Sequence, residues 1–289
     1  MSTLTAFSEQ LANAVARASK ATVSVHARPK LPSTGVHWKD GVVVTTEATV
    51  QRDNDITLTL PDGKRVAAAL AGRDPGSDLA ALRIDKGLLP VAERGDPAAL
   101  RAGHLVLALA RLGDGGPRAA FGAVSATGGR WRSWKGGELD LRLQSDLRLY
   151  PGFGGGPLVD ADGLVLGVNS GGLSGPLATT IPANTVDRIV ERLLTRGSVA
   201  RGWLGAAMQP VRGGVVLLSI EPDAPASLAG LLIGDVVIGI DGRPVESLEP
   251  LLAFLAGDVV GKNVSLDVLR GGQPTKVDVL IGERPRRTR

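Results

Sequence analysis

The sequence predicts a mainly β architecture of barrels or sandwiches with few helices. Short runs rich in Val, Ile, Leu and Thr recur along the chain, and turns rich in Gly and Pro separate them. Helical spacing of apolar residues is confined to three stretches, near residues 7–18, 182–196 and 248–255. The pattern changes at Arg201, which divides the chain into a longer and a shorter domain.

Composition sets outer limits on function. A chain of 289 residues can bury a core, and 43% hydrophobic with 21% charged residues is ordinary for a globular protein. Aromatics at 3% leave that core to Val, Leu, Ile and Ala. The absence of cysteine excludes disulfides, thiolate metal sites and a thiol nucleophile. A net charge of +4 without a dense basic stripe gives no reason to expect a nucleic-acid partner. No apolar run reaches the length of a membrane span, and no basic region followed by an apolar one opens the chain. The chain as given therefore reads as cytoplasmic, and as periplasmic or secreted if a leader has been removed.

In chain order, Phe7, Leu11, Ala14, Val15 and Ala18 form the apolar face of an amphipathic helix within residues 1–20. Strands are expected at Thr22–Ala27 and over the β-rich Gly41–Val50. Ile56–Leu60 and Arg65–Ala71 read as a hairpin turning through Pro61-Asp62-Gly63-Lys64. In Arg130-Trp131-Arg132-Ser133-Trp134-Lys135, basic and aromatic residues alternate. The favoured reading is a hairpin loop whose tryptophans cover neighbouring surface, with a protein contact as the first alternative and a nucleic-acid contact as the least favoured. Next comes Tyr150-Pro151-Gly152-Phe153-Gly154-Gly155-Gly156-Pro157-Leu158, set between strand-like Leu139–Gln144 and Leu164–Asn169. Glycine this dense suits a turn that aims successive N–H groups at one oxygen. The helix over Pro182–Arg196 stops at Gly197 and closes the longer domain, and residues 197–201 form a joint. His26, His37 and His104 share no metal-ligand spacing, so neither metal nor cofactor is expected.

The string from Gln144 to Gly172, QSDLRLYPGFGGGPLVDADGLVLGVNSGG, resembles the active-site segment of the HtrA (Deg) family of trypsin-fold serine proteases. Pro-Gly-Asn-Ser-Gly-Gly-Pro-Leu is usual there. On that pattern Gly154 stands at the nucleophile position and Phe153 replaces the Asn before it. Thr45 matches the family's Thr-x-x-His-Val, and Ala48 stands where the general base belongs. Asp78, in GRDPGSDLA, is the retained third triad member. The resemblance extends past the change at Arg201. Gly202-Trp203-Leu204-Gly205 and Ala206–Val211 are similar to the carboxylate-binding loop and ligand-pairing strand of an HtrA-type PDZ domain. Ala224-Pro225-Ala226, Ala229-Gly230-Leu231 and Gly234-Asp235-Val236-Val237 match the same module.

The resemblance implies two six-stranded barrels over residues 21–200, a PDZ domain over 201–285 and a basic tail at 286–289. It also implies a PDZ site in which Leu204, Gly205 and Ala206 offer N–H groups to a peptide carboxylate beside Trp203. Leu204, Leu251 and Leu255 would line the pocket for the last side chain. Gly152 and Gly154 would keep the oxyanion-type donors. A homotrimer is implied through an aromatic cluster at the first helix, to which Phe7 alone answers.

Serine-protease chemistry needs a nucleophilic oxygen and a base in contact, and neither Gly154 nor Ala48 supplies one. The expectation is a pseudoprotease that binds peptides or protein C-termini as an adaptor, chaperone-like holder or regulator. Two alternatives stand beside it. One is a serine-type endopeptidase of the HtrA family with residual or non-standard activity through Ser170, Ser145 or a partner's residues. The other is a structural subunit assembling with active HtrA paralogues. Phe153 is expected either to block the vacated cleft or to leave it open.

Overall fold

The computed structural model describes residues 2–173, 178–197, 202–255 and 259–283. Residues 198–201 of the expected joint and the basic tail at 286–289 lie outside these residues. The chain separates into two compact units, Met1–Val199 and Ala200–Arg289.

In the first unit, helix α1 (Thr3–Ser19) begins where Ser2 accepts the Thr5 N–H, and it buries Ala14 and Ala18. The first barrel is built from β1 (Thr22–His26), β2 (Ser33–Lys39), β3 (Val42–Thr46), β4 (Ile56–Thr59), β5 (Arg65–Asp74) and β6 (Leu79–Arg83). It closes in the order β1-β2-β3-β6-β5-β4. Val23, Val25, Val43, Leu58 and Leu82 fill its interior. The second barrel uses β7 (Leu105–Ala110) and β8 (Arg118–Gly128), and the small hairpin β9 (Trp131–Arg132) and β10 (Glu138–Leu139) stands apart from it. β11 (Arg142–Ser145), β12 (Pro157–Val159), β13 (Val165–Ser170) and β14 (Ala178–Pro182) complete it, in the order β11-β14-β13-β12-β7-β8. Helix α2 (Ala183–Arg196) buries Val186, Ile189, Val190 and Leu193 and ends at Gly197, whose φ of +72° is the left-handed geometry of a helix stop. A separate apolar cluster joins Trp38, Leu79, Leu107, Val168 and α2.

Two strand expectations need correction. The Gly41–Val50 run is not one strand: β3 ends at Thr46, and a 3-10 turn, Glu47–Thr49, follows. Asp78 causes the break, since its carbonyl takes the Glu47 N–H (3.1 Å) and its Oδ1 takes the Ala48 N–H (2.9 Å). Leu139–Gln144 is also divided, between β10 and β11. Asp140 lies in the gap, where Thr185 and Arg188 bind its side chain.

The second unit opens with β15 (Gly202–Trp203), β16 (Ala206–Val211), β17 (Gly214–Ile220), the short α3 (Pro225–Leu228) and β18 (Val236–Ile240). It continues with β19 (Arg243–Pro244), α4 (Leu248–Leu255), β20 (Asn263–Arg270), β21 (Gln273–Leu280) and β22 (Gly282–Glu283). The main sheet runs β16-β17-β18-β20-β21, with β19 on β18, and β15 pairs β22. Its core holds Leu204, Val215, Leu217, Val237, Leu251 and Leu266. The architecture is therefore mainly β: two closed six-stranded barrels followed by a PDZ-type sheet.

Candidate functional site

Asp78 sits at the junction of β5 and β6 with φ at +56°, a strained conformation for a non-glycine residue. It is buried at 1% exposure. Its Oδ1 accepts from the Ala48 backbone, and its Oδ2 accepts from Ser170 Oγ at 2.5 Å. Burial pushes its pKa above the usual carboxylate range, partly opposed by the Ser170 and Ala48 hydrogen bonds and the Lys135 charge. Ala48 itself is exposed, and its methyl group can move no proton.

Opposite Asp78 lies the glycine-rich turn. Phe153 donates its N–H to the Tyr150 carbonyl (3.0 Å), and Gly155 donates to Asn169 (2.9 Å). The N–H groups of Gly152 and Gly154 find no acceptor among the described residues. Thr34 Oγ1 donates to the Gly152 carbonyl at 2.7 Å and so fixes that peptide plane. A Cβ on Gly155, at φ +86°, would lie 2.1 Å from the Thr34 carbonyl oxygen, and one on Gly156 would lie 2.0 Å from that of Leu109. A Cβ on Gly154 would meet Thr46 Oγ1 at 3.4 Å and Thr49 Cγ2 at 3.9 Å, both ordinary contacts. Thr49 gives its proton to the Thr46 carbonyl (2.9 Å), so Thr46 Oγ1 donates to Thr49 Oγ1 (3.1 Å). A closed hydroxyl pair thus stands beside the nucleophile position, with no base to activate it. Phe153 is 3% exposed and packs in the second barrel's core with Leu158 and Leu166, so it does not block the cleft.

Ser170 ends β13 at 1% exposure, and Ser145 is equally buried. Ser170 spends its proton on Asp78, and Ser145 Oγ has no partner among the described residues. Neither hydroxyl is open to a peptide. The Ser170–Asp78 contact escaped the sequence reading, though a serine at the end of an otherwise apolar strand needs a buried partner.

The 133–137 loop crosses from the Asp78 side to the end of β13. Ser133 Oγ donates to the Gly76 carbonyl (2.6 Å), and Trp134 Nε1 donates to the Gly172 carbonyl (2.9 Å). The Lys135 ammonium lies 5.2 Å from the Trp134 ring. Arg130 and Arg132 pair with Glu138 (3.2 and 2.7 Å). This is the expected hairpin loop, with its arginines committed to carboxylates, but only half-buried Trp131 covers neighbouring surface, since Trp134 is 69% exposed. His26 shares a hydrogen bond with Thr59, and burial followed by the Arg65 charge lowers its pKa. His37 bridges the Pro90 carbonyl and the Gly41 N–H, and His104 Nδ1 caps the Arg101 N–H.

In the second unit, β16 pairs only with β17, leaving its outer edge unpaired among the described residues. The carbonyls of Leu204 and Gly205 accept from Ala226 and Glu221, both at 2.8 Å, while their own N–H groups find no acceptor among the described residues. Gly205 has φ at +75°, and a Cβ there would come within 2.1 Å of Ala224 Cβ and 3.0 Å of the Trp203 ring. Leu204, Leu251 and Leu255 are buried in the core, and half-buried Ala206, Met208 and Leu248 pack against the same cluster.

Such a fold, with triad-like positions brought together from two barrels and a PDZ unit after them, defines a trypsin-like peptidase scaffold with a peptide-binding module. The sequence matches a trypsin-like peptidase domain over residues 33–168 and a PDZ domain over 202–281. A probable periplasmic DegP-like serine endoprotease of Halomonas elongata is 33% identical over 89% of this chain and 57% of that protein. A protein of the same description from Brucella suis is 33% identical over 90% of this chain and 54% of that protein. The chain spans just over half the length of these curated relatives. Among solved structures, the HtrA-type protease AlgW with a decapeptide superposes with a TM-score of 0.74 at 28% identity, covering 96% of this chain and 99% of that one. The serine endoprotease of Yersinia pestis superposes with a TM-score of 0.75 at 26% identity, covering 95% and 98%. The chain belongs to the HtrA/DegP family.

Proposed function

We propose that this chain is a proteolytically inactive HtrA-family protein that binds peptides or protein C-termini as an adaptor, holder or regulator. One observation carries the reading. Positions 48 and 154 offer no side-chain oxygen, nitrogen or sulfur, and the nearest hydroxyls, Thr46 and Thr49, are tied to each other. Loss of a triad costs about 10⁶ in turnover, roughly 8 kcal/mol of barrier. The N–H groups of Gly152 and Gly154, without acceptors among the described residues, are worth a residual acceleration of about 10³–10⁴.

Binding is supported by the outer edge of β16 and the N–H groups of Leu204 and Gly205, none of which has a partner among the described residues; they suit a peptide strand ending in a carboxylate. The AlgW structures with a decapeptide and a tripeptide favour the same use of the family scaffold. The relatives described as periplasmic favour the periplasm over the cytoplasm. The test is casein cleavage by the wild type beside a Gly154→Ser/Ala48→His double variant. The wild type is expected to be silent and the double variant to cleave, and cleavage by the wild type overturns the reading.

A second reading, assembly with copies of itself or with active paralogues, is favoured by one contact. Phe7 meets Phe121 edge-on at 6.4 Å within the chain, and both Phe121 and Leu4 are exposed. A trimer mass that falls to monomer in Phe121→Glu is the expected result; a wild-type monomer removes this reading.

A further inference from the structure

The sheet of the PDZ unit carries a second concave region, on strands that the peptide edge does not use. Val237, Leu266 and Val268 belong to the core, so Ile238 and Asp267, which alternate with them, face the other side of the sheet. Lys276 is the cross-strand partner of Asp267, and its Nζ lies 3.3 Å from Asp267 Oδ1, which puts both on that outer face. Gly239 sits between Asp267 on β20 and Pro244 on β19. A Cβ there would come within 2.8 Å of Asp267 Oδ2, so glycine is what lets the carboxylate lie beside the strand. The missing side chain leaves a hollow. A cavity of about 530 Å³ is lined by Ile238, Gly239, Arg243, Pro244, Asp267 and Lys276, with Pro274 at its margin. Neither β16, α4 nor residues 203–206 contribute to it.

A hollow of that size is within the range that small molecules occupy. Its walls are apolar at Ile238, Pro244 and Pro274, and its charges do not cancel. Lys276 compensates Asp267, whereas exposed Arg243 forms no ion pair with a described residue. Arg243 follows a tight turn in which Asp241 (φ +45°) and Gly242 (φ +73°) hold left-handed geometry. Asp241 gives it no counter-charge, because its Oδ1 accepts the Ser265 N–H at 2.9 Å. Two cations against one carboxylate leave a single positive charge on the lining. A phosphate monoester brings nearly two negative charges at pH 7 and would leave one unmatched. A carboxylate brings one, in a shape that the guanidinium fork grips with two hydrogen bonds.

We propose that this hollow is a small-molecule site for an apolar monocarboxylate, whose acyl or aryl body lies over Ile238, Pro244 and Pro274 and whose carboxylate meets Arg243. The proposal is independent of the peptide-binding reading and survives its failure. The test is an amide NMR titration of the full chain with octanoate, its neutral analogue octanamide, and octylammonium. Octanoate is expected to shift the Gly239 and Gly242 amides saturably, with a Kd of about 1 mM for a ligand this small, and octanamide to bind about tenfold more weakly. Arg243→Ala should bring octanoate down to the octanamide level. Arg243 and Lys276 are both exposed, so removing either or both leaves the fold intact. In Arg243→Ala/Lys276→Ala, Asp267 is the only charge left on the lining, and the preference inverts to octylammonium over octanoate.

A fatty carboxylate also resembles a chain terminus, so the readout is by position. Octanoate shifts confined to the Gly205 and Ala206 amides assign it to the peptide edge and overturn the proposal. Absence of saturable shifts at Gly239 and Gly242 does the same, as do equal affinities for octanoate and octanamide. Octanoate binding at Gly239 that is unchanged in Arg243→Ala, or a double variant that still favours octanoate, also overturns it.

Discussion

Two carboxylates, one in each unit, are almost equally buried and treated in opposite ways. Asp78, at 1% exposure, is held by neutral donors, the Ala48 N–H and the Ser170 hydroxyl. Asp235, at 2% exposure, receives Arg270 through Nε (2.9 Å) and Nη2 (2.7 Å), together with the Leu232 N–H (2.9 Å). Desolvation wins at Asp78 and raises its pKa; the Arg270 hydrogen bonds win at Asp235 and lower it. A buried carboxylate used only to brace a fold is ordinarily matched with a cation. Asp78 is arranged as though its cation were still to come, and an imidazolium at position 48 is what the triad geometry would supply.

The contrast is broken most forcefully from the Asp235 side. Arg270→Leu strands a buried charge and should cost the PDZ unit about 3–5 kcal/mol in urea unfolding. A loss below about 1 kcal/mol would mean that Arg270 is not what sustains Asp235. Next in size is Ser170→Ala, which removes a hydrogen bond to a buried charge and should cost the barrels about 2 kcal/mol. An unchanged midpoint there would separate Ser170 from Asp78.

The pH dependence sharpens the comparison, because the two groups act with opposite signs. Asp235 binds its proton less readily in the folded chain, so its contribution is present above the usual 3.8 and fades as pH falls through its lower native value. Asp78 binds its proton more readily when folded. Its ionisation therefore weakens the barrels at neutral pH, and stability is regained as pH falls through its raised value towards 3.8. The smallest effect follows from this. Asp78→Asn should leave the barrels as stable as wild type, or more stable by about 1 kcal/mol or less, at pH 7. The advantage should disappear near pH 4. Destabilisation at pH 7 that persists in acid would show that the ionised carboxylate is an asset to the fold.

The sequence made the framework readable because its punctuation is local. A proline opens the α2 region and Gly197 stops the helix, and the Gly152–Gly156 and Ala224–Leu231 runs have few architectural meanings. Substitutions at 48 and 154 were equally plain, since absence of a functional group needs no geometry. What stayed hidden depends on contacts between distant residues. Ser170 and Asp78 lie 92 positions apart, and Trp134 and Gly172 lie 38 apart. Periodicity reports which face of a strand is buried, not which partner waits there. Ser170 and Asn169 left one trace, as polar residues closing an apolar strand, and both do bond inward. Phe153 left none: its burial in the second barrel follows from the turn that carries it.

Among Gly152, Gly154, Gly155 and Gly156, only position 154 has room for a Cβ; at the others one would press within 2.3 Å of Leu112, Thr34 or Leu109. Gly155 meets β2 and β3 of one barrel, and Gly156 meets β7 of the other. The turn is therefore a keystone between two arches, cut to shape by its neighbours. A scan for the protease signature in this chain finds masonry, and the reactive letter is the only one that the masonry leaves free to change.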